Sequence, residues 1–188
     1  MKIVSLFGSP RKKGNTATVL NWVEDELREQ GHEVARIDVG ERDVKGCLEC
    51  YQCQNTLTEP GCPQKDDALS IFGRMMEADA VIYASPVFCW SWSAQLKPLV
   101  DRHFCLVKEA GTRKWSSLLQ DKPTALVVTA AGPMEGNAEL LVQQYRNLVE
   151  YGRALVKGSL VVPLCTTPDA IPAEVRVKAV NLARGLIS

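Results

Sequence analysis

Cys47, Cys50 and Cys53 stand at C-x2-C-x2-C spacing, and Cys62-Pro63 follows after eight more residues. Three thiolates so spaced can wrap one face of an iron–sulfur cluster while a fourth from a nearby loop completes it. Four thiolates also suit zinc, although structural zinc prefers two separate C-x2-C knuckles. A disulfide or redox-switch pair is a third reading, because C-x-x-C thiols can have depressed pKa values. A segment that keeps its cysteines and binds no metal is the fourth. Cys89, Cys105 and Cys165 lack clustered partners and read as buried apolar residues, Cys89 lying within a predicted ligand loop.

The second group of chemical residues opens the chain. An apolar segment, Lys2–Phe7, delivers Gly8-Ser9-Pro10-Arg11-Lys12-Lys13-Gly14-Asn15-Thr16 onto a predicted amphipathic helix. The first N–H groups of a helix have no internal partner, and the helix dipole adds positive potential there, so such a loop makes an anion site. The hydroxyls of Ser9 and Thr16, the Asn15 amide and the Arg11 guanidinium add donors suited to a phosphate. An ordinary strand-to-helix turn with a Thr or Asn cap is the plainer reading. The loop is neither G-x-x-x-x-G-K-[ST] nor G-x-G-x-x-G, which selects a monophosphate ester over ATP or a tightly held dinucleotide.

The elements that must position these groups alternate. Strands are predicted at Lys2–Phe7, Glu33–Asp38, Ala80–Ala84, Thr124–Thr129 and Ala154–Val162. Helices are predicted at Asn15–Gln30, from Asp66-Asp67 onward with Leu69, Phe72, Met75 and Met76, then at Ser93–Phe104, Asn137–Tyr151 and Ala173–Ile187. Apolar strands that read as buried on both faces indicate a parallel sheet covered by helices. The expected fold class is α/β: a doubly wound, flavodoxin-like five-stranded parallel sheet of order 2-1-3-4-5 with helices on both faces. The 188 residues form a single expected domain, 1–188, with a cysteine-rich insertion at about 40–65 and a surface excursion at Lys108–Pro123. A net charge of zero gives no electrostatic argument for nucleic acid. No segment reaches the ~18 apolar residues of a membrane span, and a cytoplasmic location is expected, where seven cysteines suggest metal or redox work over structural disulfides.

In such sheets ligands bind beyond the carboxyl ends of the strands. Besides the first loop this selects Ser85-Pro86-Val87-Phe88-Cys89-Trp90-Ser91-Trp92 and Ala130-Ala131-Gly132-Pro133-Met134-Glu135-Gly136. Aromatic rings at a ligand edge suit a flat conjugated partner; the plainer reading makes Phe88 and Trp92 core or interface residues, and for Trp92 it weighs about as much as ligand contact.

These loops, with Ala78-Asp79-Ala80, Ser93-Ala94-Gln95-Leu96-Lys97 and Asp101-Arg102, resemble the NADPH-dependent FMN reductase family over nearly the whole chain. The resemblance implies that Ser9, Arg11, Asn15 and Thr16 hold the FMN phosphate. It implies that Pro86, Val87, Phe88, Cys89, Trp90 and Ser91, with Ala131 and Gly132, line the ribityl chain and isoalloxazine. Phe88 stands where the family often has tyrosine. Asp101-Arg102 looks like a structural pair closing the third helix. The cysteine run shares its start and its Cys-Pro ending with ferredoxin runs, and it resembles the iron–sulfur flavoproteins, which pair FMN with a [4Fe-4S] cluster. That resemblance makes Cys47, Cys50, Cys53 and Cys62 the metal ligands, with a somewhat long fourth spacing for that subgroup.

The flavin would carry the hydride and electron chemistry, so no acid–base residue is obligatory. His32 reads as a solvated loop residue and His103 as a helix-end residue; Asp66-Asp67 read as caps. The expected activity is reduction of flavin, quinone or similar small acceptors with NAD(P)H. One alternative is electron carriage between a ferredoxin-like donor and an acceptor through FMN and a [4Fe-4S] cluster; another is a non-enzymatic FMN-binding sensor. A homodimer or homotetramer is expected, with Trp90, Trp92 or Trp115 completing a neighbour's pocket.

Overall fold

Alternating apolar residues divide the interior in two. A computed structural model describes residues 1–188. Strand β1 (Lys2–Phe7) pairs with β2 (Glu33–Asp38) and β3 (Ala80–Pro86); β3 pairs with β6 (Pro123–Thr129) and β6 with β7 (Leu155–Val162), all parallel. The order β2-β1-β3-β6-β7 is the expected 2-1-3-4-5 once the short hairpin of β4 (Val107–Lys108) and β5 (Ser116–Ser117) is set aside. Val4, Leu6, Val81, Tyr83, Leu126 and Val128 face helices α2 (Ala68–Glu77), α3 (Lys97–Asp101) and α4 (Glu139–Tyr151). Ile3, Phe7, Ile82, Ala84 and Val127 face α1 (Asn15–Glu29) and α5 (Glu174–Leu186). Side chains alternate across a strand, so each central strand feeds both layers and reads as an unbroken apolar run. Each fully buried Leu or Val, Leu6 for example, stabilises the fold by about 1.5–3 kcal/mol.

Four expectations need correction. The predicted helix Ser93–Phe104 is a turn at Ser93–Leu96, then α3, then a tighter 3₁₀ stretch at Arg102–Leu106. Pro98 lacks an N–H and fits only a helix's first turn, which moves the start to Lys97. Likewise α4 begins at Glu139, after an irregular turn at Met134–Ala138 in which Gly136 holds a φ of 66°. Strand β7 is not buried on both faces: it lies at the sheet edge, and Leu155 and Val156 are exposed. Finally, Lys108–Pro123 is only partly a surface excursion, because Lys108 and Leu119 are buried.

No helix is long and apolar enough to cross a membrane.

Candidate functional site

Loop Gly8–Gly14 leaves β1 and enters α1 with Gly14 at the N-cap and no side chain capping it. The N–H groups of Asn15, Thr16 and Ala17 therefore have no acceptor within the chain. Ser9 is buried, and its Oγ accepts the Arg11 N–H at 3.2 Å, which tightens the loop. Arg11 is exposed and forms no ion pair, so its guanidinium is free to meet a ligand. The side chains of Asn15 and Thr16 are already engaged. Asn15 Nδ2 donates to the Cys165 carbonyl at 2.9 Å, and Thr16 Oγ1 meets Thr129 Oγ1 at 2.7 Å. What these two residues offer a phosphate is backbone N–H, with their side chains fixing the helix end against β6 and the segment after β7.

The second loop is locked to the first. Ser93 Oγ donates to the Gly8 carbonyl, and Ser85 Oγ accepts the Ser93 N–H at 3.1 Å. A Cβ on Gly8 would lie 2.7 Å from Leu96 Cβ, so only glycine allows this approach. Phe88 and Ser91 exchange backbone hydrogen bonds of 3.1 and 3.0 Å across Cys89 and Trp90, whose φ values are 47° and 62°. Two central residues in the left-handed region make a type I′ turn, normally the province of Asn-Gly. Gln144 on α4 fixes it, accepting from Ser91 Oγ at 2.9 Å and donating to the Trp90 carbonyl at 3.2 Å. Phe88, Cys89 and Trp90 stand exposed, which corrects the reading of Cys89 as buried. Trp92 is buried against Tyr83 and belongs to the core, and Trp115 lies between Tyr151 and Arg153. In the third loop Ala131 is exposed, and a Cβ on Gly132 would run into the Asn137 amide. A phosphate monoester ending in a flat ring system fits this set: free N–H groups and Arg11 at one end, a rigid aromatic turn at the other.

The cysteine segment forms a separate site. Cys47, Cys50, Cys53 and Cys62 line one cavity of about 260 Å³, together with Glu49, Tyr51, Asp101, Arg102, Phe104 and Cys105. None of the three loops above contributes to it, so the cavity lies on the flank of the α2–α3 layer, against residues 101–105. Cys105 was not expected there; burial pushes its thiol up to about 12, with Cys62 and Cys53 close by. Glu49 and Tyr51 hold φ values of 53° and 57° between the cysteines. Such left-handed residues cost on the order of 1–3 kcal/mol each and persist only where the surroundings impose them. Tyr51 is anchored edge-on against Phe104, ring centres 5.6 Å apart.

Polar side chains tie this loop to the layer beneath, from both sides. Gln54 Nε2 donates to the carbonyls of Phe104 and Val107 at 3.3 and 3.0 Å. Lys108 Nζ donates to those of Cys53 and Pro60 at 2.9 and 3.2 Å, and burial lowers its pKa. Arg102 pairs with Asp66, both side chains being withdrawn from solvent, and its Nη2 lies 3.3 Å from Cys62 Sγ. Burial works against the guanidinium charge, but its bonds to Asp66 and the proximity of Cys62 outweigh it and hold the pKa above the ordinary arginine value. Arg102 is therefore not the partner of Asp101, which pairs with Lys97 at 2.6 Å. At the neck of the loop Asp67 N–H donates to the Asp43 carbonyl at 2.8 Å, and Asp43 N–H to Asp67 Oδ2 at 2.9 Å.

Nowhere do three His, Cys, Asp or Glu side chains converge so as to hold a single metal ion. A zinc ion needs its thiolates about 2.3 Å from one point. Thiolates spread round a cavity fit a cluster of several atoms better. All seven cysteines are unbridged. His103 is buried, with Nδ1 2.8 Å from the Leu99 carbonyl and Nε2 3.0 Å from Tyr83 Oη, a core role that lines neither site.

The sequence profile of the NADPH-dependent FMN reductase family matches residues 1–167. An iron–sulfur flavoprotein of Methanocaldococcus jannaschii is 32% identical over 158 residues, 84% of this chain and 76% of the relative. One from Archaeoglobus fulgidus is 30% identical over 169 residues, 89% and 77% of the two chains. A solved azoreductase structure from Bacillus anthracis superposes with a TM-score of 0.73 at 16% identity, covering 98% of this chain and 97% of that one, a likeness of fold.

Proposed function

The chain belongs to the NADPH-dependent FMN reductase family, and we propose that within it this protein is an iron–sulfur flavoprotein, an oxidoreductase with FMN at the strand ends and a [4Fe-4S] cluster held by Cys47, Cys50, Cys53 and Cys62. One observation carries the cluster: four cysteines spread over sixteen positions line a single cavity with a buried arginine against one of them.

FMN supplies hydride and one-electron chemistry when bound, and the cluster supplies one-electron transfer. The chain's residues do the rest. The N–H groups of Asn15, Thr16 and Ala17, the Ser9 turn and Arg11 bind the FMN phosphate. Pro86, Val87, Phe88, Cys89, Trp90 and Ser91 line one side of the ring and ribityl chain, and Ala131 and Gly132 the other. The type I′ turn, clamped by Gln144, holds the aromatic edge rigid, so a flat donor or acceptor meets a preformed rim. Electrons come from NAD(P)H or a ferredoxin-like protein and leave to a flavin, quinone or related small molecule. Seven unbridged thiols suit the cytoplasm, and a homodimer or homotetramer would cover the exposed Phe88 and Trp90.

The test is an anaerobic absorption spectrum with iron and acid-labile sulfide assays on freshly purified protein. Flavin bands with a broad shoulder and about four irons per chain support this reading. Flavin bands with no iron leave a plain NAD(P)H-dependent FMN reductase, a second reading favoured by the aromatic rim, which is complete without any cysteine of the flank.

A further inference from the structure

Arg102 is the largest side chain wholly withdrawn from solvent, and it lines the cysteine cavity. A guanidinium carries five N–H donors and keeps its charge in proteins. Nη1 serves the Asp66 carboxylate and the Lys45 carbonyl, the latter at 3.3 Å, and Nη2 reaches Cys62 Sγ at 3.3 Å. Nε–H is buried and has no acceptor. The other charged groups lining the cavity, Glu49 and Asp101, are acidic. Lys108, the second buried cation of this flank, is directed to the carbonyls of Cys53 and Pro60 and lies outside the lining.

A buried ion pair is a weak device for stability, because desolvation offsets much of the attraction. A buried pair with one donor on a sulfur and another left free is better explained by what fills the cavity. We propose that Arg102 sets the reduction potential of the cluster site, donating N–H···S hydrogen bonds to Cys62 and the sulfurs beside it and holding its positive charge against them. The role rests on the cluster reading above. Reduction adds one electron and therefore one negative charge, with no bond made or broken and no proton moved. The electron comes from the donor already named by class. Hydrogen bonds to sulfur and nearby positive charge favour the more negative state, which raises the potential. Asp66 acts in the opposite sense by neutralising part of that charge.

The opposed signs make the test. Wild type, R102Q, R102K and D66N are reconstituted anaerobically, folding is checked by circular dichroism, and iron and sulfide are counted. The midpoint potential is then read by a dye-mediated titration followed by electron paramagnetic resonance. R102Q is expected to shift the reduction equilibrium at least tenfold toward the oxidised cluster, about 59 mV downward for one electron. R102K falls between R102Q and wild type, and D66N moves upward. Iron-loaded R102Q with an unmoved potential overturns the role, as does movement of R102Q and D66N in the same direction. Should R102Q fail to fold or to hold iron, D66N decides: an upward shift supports the role, and none or a downward one overturns it. Wild type that takes up no iron overturns the cluster reading itself and this role with it, before any potential is measured.

Discussion

Loop Gly8–Gly14 and the cysteine loop Val44–Lys65 are both irregular backbone bearing chemistry, and they are held in opposite ways. The first is short and is gripped mainly at its own backbone: Gly8 N–H bonds the Ala84 carbonyl at 2.8 Å, Ser93 Oγ donates to the Gly8 carbonyl, and α1 starts at once. Its donors are mostly main-chain N–H groups, which no substitution but proline removes. The second is held by long polar side chains, its own Gln54 reaching down to the layer beneath and Arg102 and Lys108 reaching up from it, and its chemistry is all side-chain sulfur. An anion site built mostly from backbone would be weakened but not lost by a single substitution, whereas a metal site made of side-chain thiols would be lost with one ligand.

The largest expected contrast comes from Cys50→Ser. Iron should fall from about four per chain to near none, while FMN titration of the same sample is unchanged; loss of both would show that the two sites are not independent.

Acid should also separate the regions. Burial depresses the His103 pKa to about 4, below the ordinary 6.5. The unfolded chain then binds the extra proton more readily, so stability is fully present above about pH 6.5 and declines as pH falls toward 4, by on the order of 3 kcal/mol. His103 sits beside Arg102 and Cys105, so hydrogen exchange on the flank should rise at low pH before exchange in α1 does. Urea midpoints between pH 4 and 7 should lose this slope in His103→Gln.

Arg11→Ala removes the charged side chain proposed to meet the phosphate and should weaken FMN binding by about 1.5–3 kcal/mol, read by calorimetry. Unchanged affinity would mean that backbone alone holds the phosphate. Smallest is Gln54→Ala, which leaves two carbonyls without their donor and should lower protection of the cysteine loop by about 1 kcal/mol in hydrogen exchange, with none lost in α1.

The same contrast governs what could be read from sequence. Strands β1 and β2 match their predicted bounds, Lys2–Phe7 and Glu33–Asp38, because apolar runs bounded by Gly and Asp are local signals. The passage from strand to loop to helix at Phe7–Asn15 was legible for the same reason. Pro98 is a signal in the sequence that the third helix does not begin at Ser93, since proline fits only the first turn. Arg102 had no such signal. Its neighbour Asp101 looked like its partner, and the true one, Asp66, lies 36 positions away. A buried ion pair between distant segments leaves no period or spacing behind, and neither does the arrival of Cys105 beside Cys53 and Cys62.

The neck formed by Asp43 and Asp67 has an engineering consequence. A loop whose two ends are already hydrogen-bonded to each other behaves as a cassette: about twenty residues leave the scaffold and return to the same point, so a short turn could replace them at small entropic cost. The excision would be incomplete by one side chain. With the cassette goes Asp66 or its setting, and Arg102 would be stranded as a buried cation, a defect worth about 3–5 kcal/mol. Any transplant of this loop to another sheet of the same order must therefore carry that arginine on the recipient's helix, and any deletion must replace it with an apolar residue.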